Sequence, residues 1–255
     1  MTRFLIAAFL LGPVLSSLLS SAPGADQDAN YILIDIRSRE VRAARWPDAD
    51  VPIPVGSLVK PFTALAFPGP FPEFECRGAA NGCWRAKPHG ELSIVDALAQ
   101  SCNAYFLQLA ARVDADALAV VAATFGIPPP RSNTTEARIG LGDEWRISPL
   151  ALTRAYAELA LRAGDPRADQ LLAGLERAAR SGTAQGISRE GDRVLAKTGT
   201  APCVAPRPHK GDGFAIVLYP AEAPRTALLV RVHNVPGAEA AKTAAKLLRG
   251  LREGR

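Results

Sequence analysis

Three short clusters join a hydroxyl to an amine or an amide: Ser57-Leu58-Val59-Lys60, Ser101-Cys102-Asn103 and Lys197-Thr198-Gly199-Thr200. A serine hydroxyl becomes a nucleophile only when a neighbouring base takes its proton. Lysine is such a base only where burial and nearby positive charge hold its amine neutral. At a helix start, residues i and i+3 share a face, so Lys60 can reach the Ser57 hydroxyl. Backbone N–H groups at the helix start can stabilise a developing oxyanion. Ser101 can relay a proton, and Asn103 can bind an amide or hold the Lys60 amine. Lys197 with Thr198 and Thr200 can grip a carboxylate, and Gly199 lets a second backbone approach the strand closely. Each cluster alone has a plain structural explanation, as a helix cap, a turn or a surface strand. Together they hold the parts that nucleophilic chemistry at a serine needs.

The elements around them fit that task. Tyr31–Ile36 and residues 40–45 read as strands. A helical pattern starts near Ser57, with Leu58, Phe62, Leu65 and Ala66 as its apolar face. Residues 67–90 carry Pro68, Pro70, Pro72 and Pro88 and read as a long irregular loop. Helices are expected over 91–100, 104–112, 114–125, 148–162 and 168–180, the fourth opened by Ser148-Pro149. Strands return at 193–200, 213–219 and 226–233, and a helix over 238–251 closes the chain. Strands at both ends and helices between them give an α+β fold. It is an antiparallel sheet flanked by helices, with an inserted all-helical region.

Composition narrows the class. The chain has 255 residues, 48% of them hydrophobic, enough to fill a core. Its net charge of +5 is spread along the sequence, and aromatics make up 6%. No concentrated basic patch with aromatics points to nucleic acid. Arg3, the apolar run Phe4–Leu11 and Val14–Leu19, then Ser20-Ser21-Ala22 read as a signal peptide over 1–22, cleaved before an exported domain over 23–255. The other reading is an uncleaved tether, for which the run is short and broken by Gly12-Pro13. Export permits disulfides. Of Cys76, Cys83, Cys102 and Cys203, the pair Cys76–Cys83 is the economical local bridge, and Cys102 and Cys203 read as small packing residues beside the second and third clusters. The spacing lacks C-x-x-C and histidine is scarce, so no metal and no cofactor are expected. His89, His209 and His233 show no ligand spacing, and His89 reads as a structural loop residue.

The flanks of the clusters carry a resemblance. PVGSLVKPFTALA, HGELSIVDALAQSCNAYFLQLA, RISPLALTRAYAELA, SGTA and AKTGTAP resemble the S-x-x-K, S-x-N and K-T-G segments of penicillin-binding transpeptidases, a set shared with serine β-lactamases. The resemblance runs in patches over roughly residues 30–250. It implies a cleft between a sheet domain and a helical subdomain. It also implies roles: Ser57 as acylated nucleophile, Lys60 as general base, Ser101 as relay, and Asn103 as contact to substrate amide and lysine. Lys197 would be the charge near the substrate carboxylate, with Thr198 and Thr200 as hydroxyl contacts to it. The N–H groups of Ser57 and Thr200 would form the oxyanion hole. The implied partners are peptidoglycan stem peptides and β-lactams. The reaction expected is that of a D,D-transpeptidase or carboxypeptidase. The alternatives are a serine β-lactamase, because the spacing from Ser57 to Ser101 to Lys197 is compact as in class D enzymes, and a non-turnover sensor or scaffold. No E-x-x-L-N is present, and Phe125-Gly126-Ile127 stands where class D enzymes have Y-G-N. Glu136, Asp143 and Glu144 are the candidate bases for a hydrolytic water.

Overall fold

The computed structural model describes residues 29–188, 193–202 and 211–253. Strands β1 (Ala29–Asp35) and β2 (Val41–Arg45) form the first hairpin, and β3 (Ile53–Pro54) leads into a 3-10 turn at Gly56–Val59. Helix α1 (Lys60–Leu65) follows, then a loop holding β4 (Phe74–Cys76), a second 3-10 turn (Gly78–Asn81) and β5 (Gly90–Leu92). The helical region comprises α2 (Ile94–Ala99), α3 (Asn103–Ala110), α4 (Ala115–Thr124), α5 (Thr135–Arg138), α6 (Pro149–Leu161) and α7 (Pro166–Ser181). The short β6 (Arg146–Ile147) interrupts it. Strands β7 (Leu195–Ala201), β8 (Asp212–Tyr219) and β9 (Thr226–Val232) precede α8 (Gly237–Glu253).

The main sheet has five strands in the order β2-β1-β9-β8-β7, every neighbouring pair antiparallel. The first strand lies against the last, Ala29 opposite Val232 and Asp35 opposite Thr226. The sheet is therefore built from both ends of the chain, and the helices are an insertion into it, as the element order implies.

Alternation along the strands sorts the core into two layers. Ile32, Ile34, Phe214, Ile216 and Leu229 face the helical region and join its core. Leu33, Ala215, Val217, Leu228 and Val230 face the other way, onto Ala240, Ala241, Ala244, Leu247 and Leu248 of α8. A one-residue slip of register would exchange the two layers, so burial on both faces fixes the register.

Helix starts follow the side chains that cap them. Ser93, Asp114, Thr134, Ser148 and Asp165 each accept a backbone N–H of the first turn, the bond that satisfies an orphan donor there. Helix α2 begins later than residue 91 because Gly90–Leu92 pair with Phe74–Cys76 as a strand and Ser93 supplies the cap. Helices α2 and α7 pack closely at Gly174, where an added Cβ would meet the Leu98 Cβ at 2.8 Å. No helix among the described residues is long and apolar enough to cross a membrane.

Candidate active site

The nucleophile candidate sits on the 3-10 turn before α1. Gly56 has φ +60°, and a Cβ there would lie 2.4 Å from the Thr200 carbonyl oxygen. Gly199 is equally constrained from the other side, since its added Cβ would meet the Val55 carbonyl oxygen at 2.7 Å. Two glycines thus let β7 and the Ser57 turn approach backbone to backbone, as the strand glycine in the third cluster predicts. The turn is held from behind by the buried Tyr156, whose hydroxyl donates to the Leu58 carbonyl at 2.8 Å. The far end of α1 is capped by Arg167, whose guanidinium donates to the carbonyls of Ala64 (3.1 Å), Leu65 (3.3 Å) and Phe67 (2.5 Å). A cation at a helix C-terminus also meets the negative end of the helix dipole.

The second cluster closes the turn between α2 and α3. Ser101 adopts φ +50°, a left-handed conformation uncommon for a residue with a Cβ. In it, both its carbonyl and its hydroxyl face the lysines. Lys60 is fully buried. Its Nζ donates to Asn103 Oδ1 at 2.7 Å and to the Ser101 carbonyl at 2.9 Å, with Ser101 Oγ at 3.4 Å. Lys197, also fully buried, donates to Ser101 Oγ at 2.8 Å and to the Thr198 carbonyl at 2.8 Å. One serine hydroxyl therefore joins two amines.

Burial lowers both amines. Loss of solvation brings Lys60 down to about 7, against a smaller opposing pull from Cys102 and Cys83. Lys197 is held well below the usual lysine range by burial first and by the charge of Lys60 second. Two ammonium groups on one hydroxyl repel each other in a medium of low polarity, so the pair does not carry two charges at neutral pH. A neutral Lys60 has two protons. Asn103 and the Ser101 carbonyl take them, and a lone pair is left for a hydroxyl proton.

These groups border a cavity of about 340 Å³ lined by Ser57, Ser101, Asn103, Thr198, Gly199 and Thr200, with Thr183, Trp84 and the turn at Pro236–Ala238 around them. Such a volume suits a short peptide or a bicyclic drug. Six of the eight predicted residues thus meet on one wall, and Lys60 and Lys197 stand directly behind it. Two placements differ from expectation. Lys60 makes no hydrogen bond to Ser57, because the S-C-N turn supplies better-placed acceptors. Lys197 is spent on Ser101 and does not line the cavity, so Thr198, Gly199 and Thr200 present the third cluster to a ligand. Thr183, in the SGTA segment, joins the site although nothing in its local sequence marks it. Its hydroxyl accepts from Thr198 Oγ1 at 2.7 Å, a contact that only the fold discloses. Glu136, Asp143 and Glu144 are exposed and away from the cavity.

The predicted Cys76–Cys83 bridge is absent: both are free, buried thiols. The His89 ring stands beside the two sulfurs, with Nδ1 3.3 Å from Cys76 and 3.5 Å from Cys83. Cys203, His209 and the segment 1–22 lie outside the described residues.

Among curated proteins nothing matches the chain. Solved structures do. The transpeptidase domain of Burkholderia pseudomallei penicillin-binding protein 3 superposes with a TM-score of 0.73 at 19% identity, over 89% of this chain and 88% of that one. PBP2 of Pseudomonas aeruginosa, in complex with WCK 5153, gives 0.72 at 18%, over 88% and 71%. Helicobacter pylori PBP2, in complex with MreC, gives 0.73 at 16%, over 88% of this chain and 60% of that longer one. At these identities the likeness is one of fold. The family model described as the penicillin-binding protein transpeptidase domain matches residues 75–251, which takes in the second and third clusters and most of the chain. The chain belongs to the penicillin-binding protein transpeptidase domain family.

Proposed function

We propose that this protein is a penicillin-binding serine D,D-peptidase of the cell envelope, acting on peptidoglycan stem peptides that end in D-Ala-D-Ala. The observation that carries the reading is the buried Lys60 amine, lowered to about 7 and bonded to Ser101 and Asn103 directly behind the wall that presents Ser57.

The steps follow from the groups. Ser57 Oγ attacks the carbonyl of the penultimate D-Ala while its proton passes to the neutral Lys60 amine. The new oxyanion is met by the backbone N–H groups of Ser57 and Thr200, a role that the close approach of the Ser57 turn to β7 supports. The proton leaves Lys60 through Ser101 to the departing nitrogen of the terminal D-Ala, and the C–N bond breaks. Lys197 supports this path by donating to Ser101 Oγ. Thr198 and Thr200 bind the substrate carboxylate from the cavity wall, and Asn103 binds its amide. An acceptor amine or water then attacks the Ser57 ester and frees the enzyme. A β-lactam follows the first half of this path, its ring amide taking the place of the peptide bond.

Slow loss of the β-lactam adduct is expected rather than β-lactamase turnover. The described residues lining the cavity include no carboxylate and no histidine to activate water. The test is intact-mass spectrometry after a pulse of penicillin, followed in time, beside release of D-Ala from a D-Ala-D-Ala pentapeptide. A long-lived adduct abolished by Ser57→Ala, with D-Ala release by the parent protein, is the expected result. An adduct that vanishes in seconds would make the protein a β-lactamase. A stable adduct without D-Ala release would make it a binding module, and absence of any adduct would overturn the reading.

A further inference from the structure

We propose that Cys76, Cys83, His89 and Cys102 form a tetrahedral Cys3His zinc site that fastens the 67–90 loop to the S-C-N turn. The four residues come from three places: β4, the loop after the second 3-10 turn, and the α2–α3 junction. Their ligand atoms all lie within 4.8 Å of one another. The spacings have the size of a metal's coordination shell. Zinc–sulfur bonds of about 2.3 Å and zinc–nitrogen bonds of about 2.05 Å at tetrahedral angles put two sulfurs about 3.8 Å apart and a sulfur and a nitrogen about 3.6 Å apart. Here Cys83 Sγ and Cys102 Sγ are 3.8 Å apart, and His89 Nδ1 is 3.3 and 3.5 Å from Cys76 and Cys83. Sulfurs joined by a covalent bond would be about 2.05 Å apart.

The three cysteines are buried, and two of them meet backbone donors. Cys76, Cys83 and Cys102 are almost wholly buried, at 1%, 6% and 0% exposure. Backbone N–H groups of His89 and Gly78 point at the Cys76 sulfur, and that of Tyr105 points at Cys102. Such donors stabilise sulfur in its anionic form. The 76–83 turn can close because Gly78 and Gly82 take φ +69° and +84°. A side chain at Gly78 would collide with the Ala86 carbonyl, 2.1 Å from its Cβ.

Three soft thiolates and one imidazole select zinc over magnesium, calcium or manganese. Four protein ligands leave no open position, so the metal is structural and not Lewis-acidic towards substrate. On binding, three thiol protons leave to solvent. The imidazole stays neutral, with its proton on Nε2 and its Nδ1 lone pair on the metal. This site goes beyond the acyl-transfer reading and its test does not depend on it.

The test uses the full chain purified without chelator. Elemental analysis should give about one zinc per chain. Replacement by Co(II) should give the intense d–d absorption of tetrahedral cobalt with a thiolate charge-transfer band. Cys83→Ser and His89→Ala should each lower zinc occupancy at equal free zinc by about fivefold or more. Weak octahedral Co(II) bands, failure of reduced parent protein to take up zinc, or a two-hydrogen mass loss marking a disulfide among these cysteines would each overturn the proposal. The parent-protein measurements decide the matter even if the variants fold poorly.

Discussion

Acylation by penicillin should accelerate as pH rises through neutrality, and the structure sets both the sign and the size of the effect. Burial lowers Lys60 to about 7, and the base must be neutral to take the Ser57 proton. With that value, about 0.9 of the protein carries a neutral Lys60 at about pH 8 and about 0.1 at about pH 6. The second-order rate of adduct formation, which reports the free enzyme, should therefore fall roughly tenfold across that interval, with its midpoint near 7. An unperturbed lysine would give a rate still climbing steeply above about pH 9. The assay is the rate of fluorescent-penicillin labelling at sub-saturating drug, read by quenched time points in buffers of matched ionic strength. Lys60→Ala should remove both the rate and its pH dependence. A profile flat from about pH 5.5 to about 8.5, or one that rises only with the ordinary lysine titration, would refute the assignment of Lys60 as base.

Gly56→Ala places a Cβ 2.4 Å from the Thr200 carbonyl at a positive φ, and should slow acylation by about 10²-fold or more through displacement of β7. Labelling rates check it beside far-UV circular dichroism, which should not change. Asn103→Ala removes the 2.7 Å partner of a fully buried amine and should cost about 1–3 kcal/mol in stability, read by urea unfolding, together with slower labelling. Arg167→Ala uncaps α1 and should cost about 2 kcal/mol, lowering Tm by about 4–8 °C for a domain of this size. Calorimetry of the parent and variant checks that value.

What the sequence disclosed was whatever periodicity and punctuation control. Strands β1, β7, β8 and β9 and the long helices α6 and α7 stand within a few residues of their expected places, because apolar periodicity and Ser148-Pro149 mark them locally. The three clusters were legible because each is contiguous. Contacts between distant segments were not. Strands β3 and β6 have two residues each and pair across 94 positions, Ile53 with Ile147, so neither carries a pattern of its own. Strands β4 and β5 hide in a stretch that reads as a Pro-rich loop. The cysteine cluster escaped for the same reason. Its ligands are spaced 7, 6 and 13 residues apart along the chain, which matches no compact metal pattern, and proximity in sequence favoured a Cys76–Cys83 bridge that the folded loop does not make. Sequence proximity likewise paired Lys60 with Ser57, whereas tertiary packing gives its amine to the Ser101 carbonyl and to Asn103, of which only the Asn103 contact was legible from the second cluster.

Ser101 concentrates the cost of this arrangement, and that cost can be measured. At φ +50° its Cβ crowds the backbone, a conformation that glycine adopts freely and other L-residues adopt at about 1 kcal/mol or more. The conformation persists because the turn is fixed on both sides, by Cys102 N–H donating to the Ala97 carbonyl at 2.9 Å and by both lysines pulling on the serine's oxygens. Ser101→Ala and Ser101→Gly both delete the hydroxyl and both strip Lys197 of the same bond. They differ in the Cβ. If the backbone is strained for function, the glycine variant should be more stable than the alanine variant by about 1 kcal/mol, even though glycine adds disorder to the unfolded chain, while the two label with penicillin equally slowly. Urea unfolding of the two variants side by side gives that difference directly. Equal stabilities would mean that the turn relaxes out of the left-handed region once the hydroxyl is gone. The lysines' hold on that oxygen, and not the surrounding fold, would then be what keeps Ser101 in place.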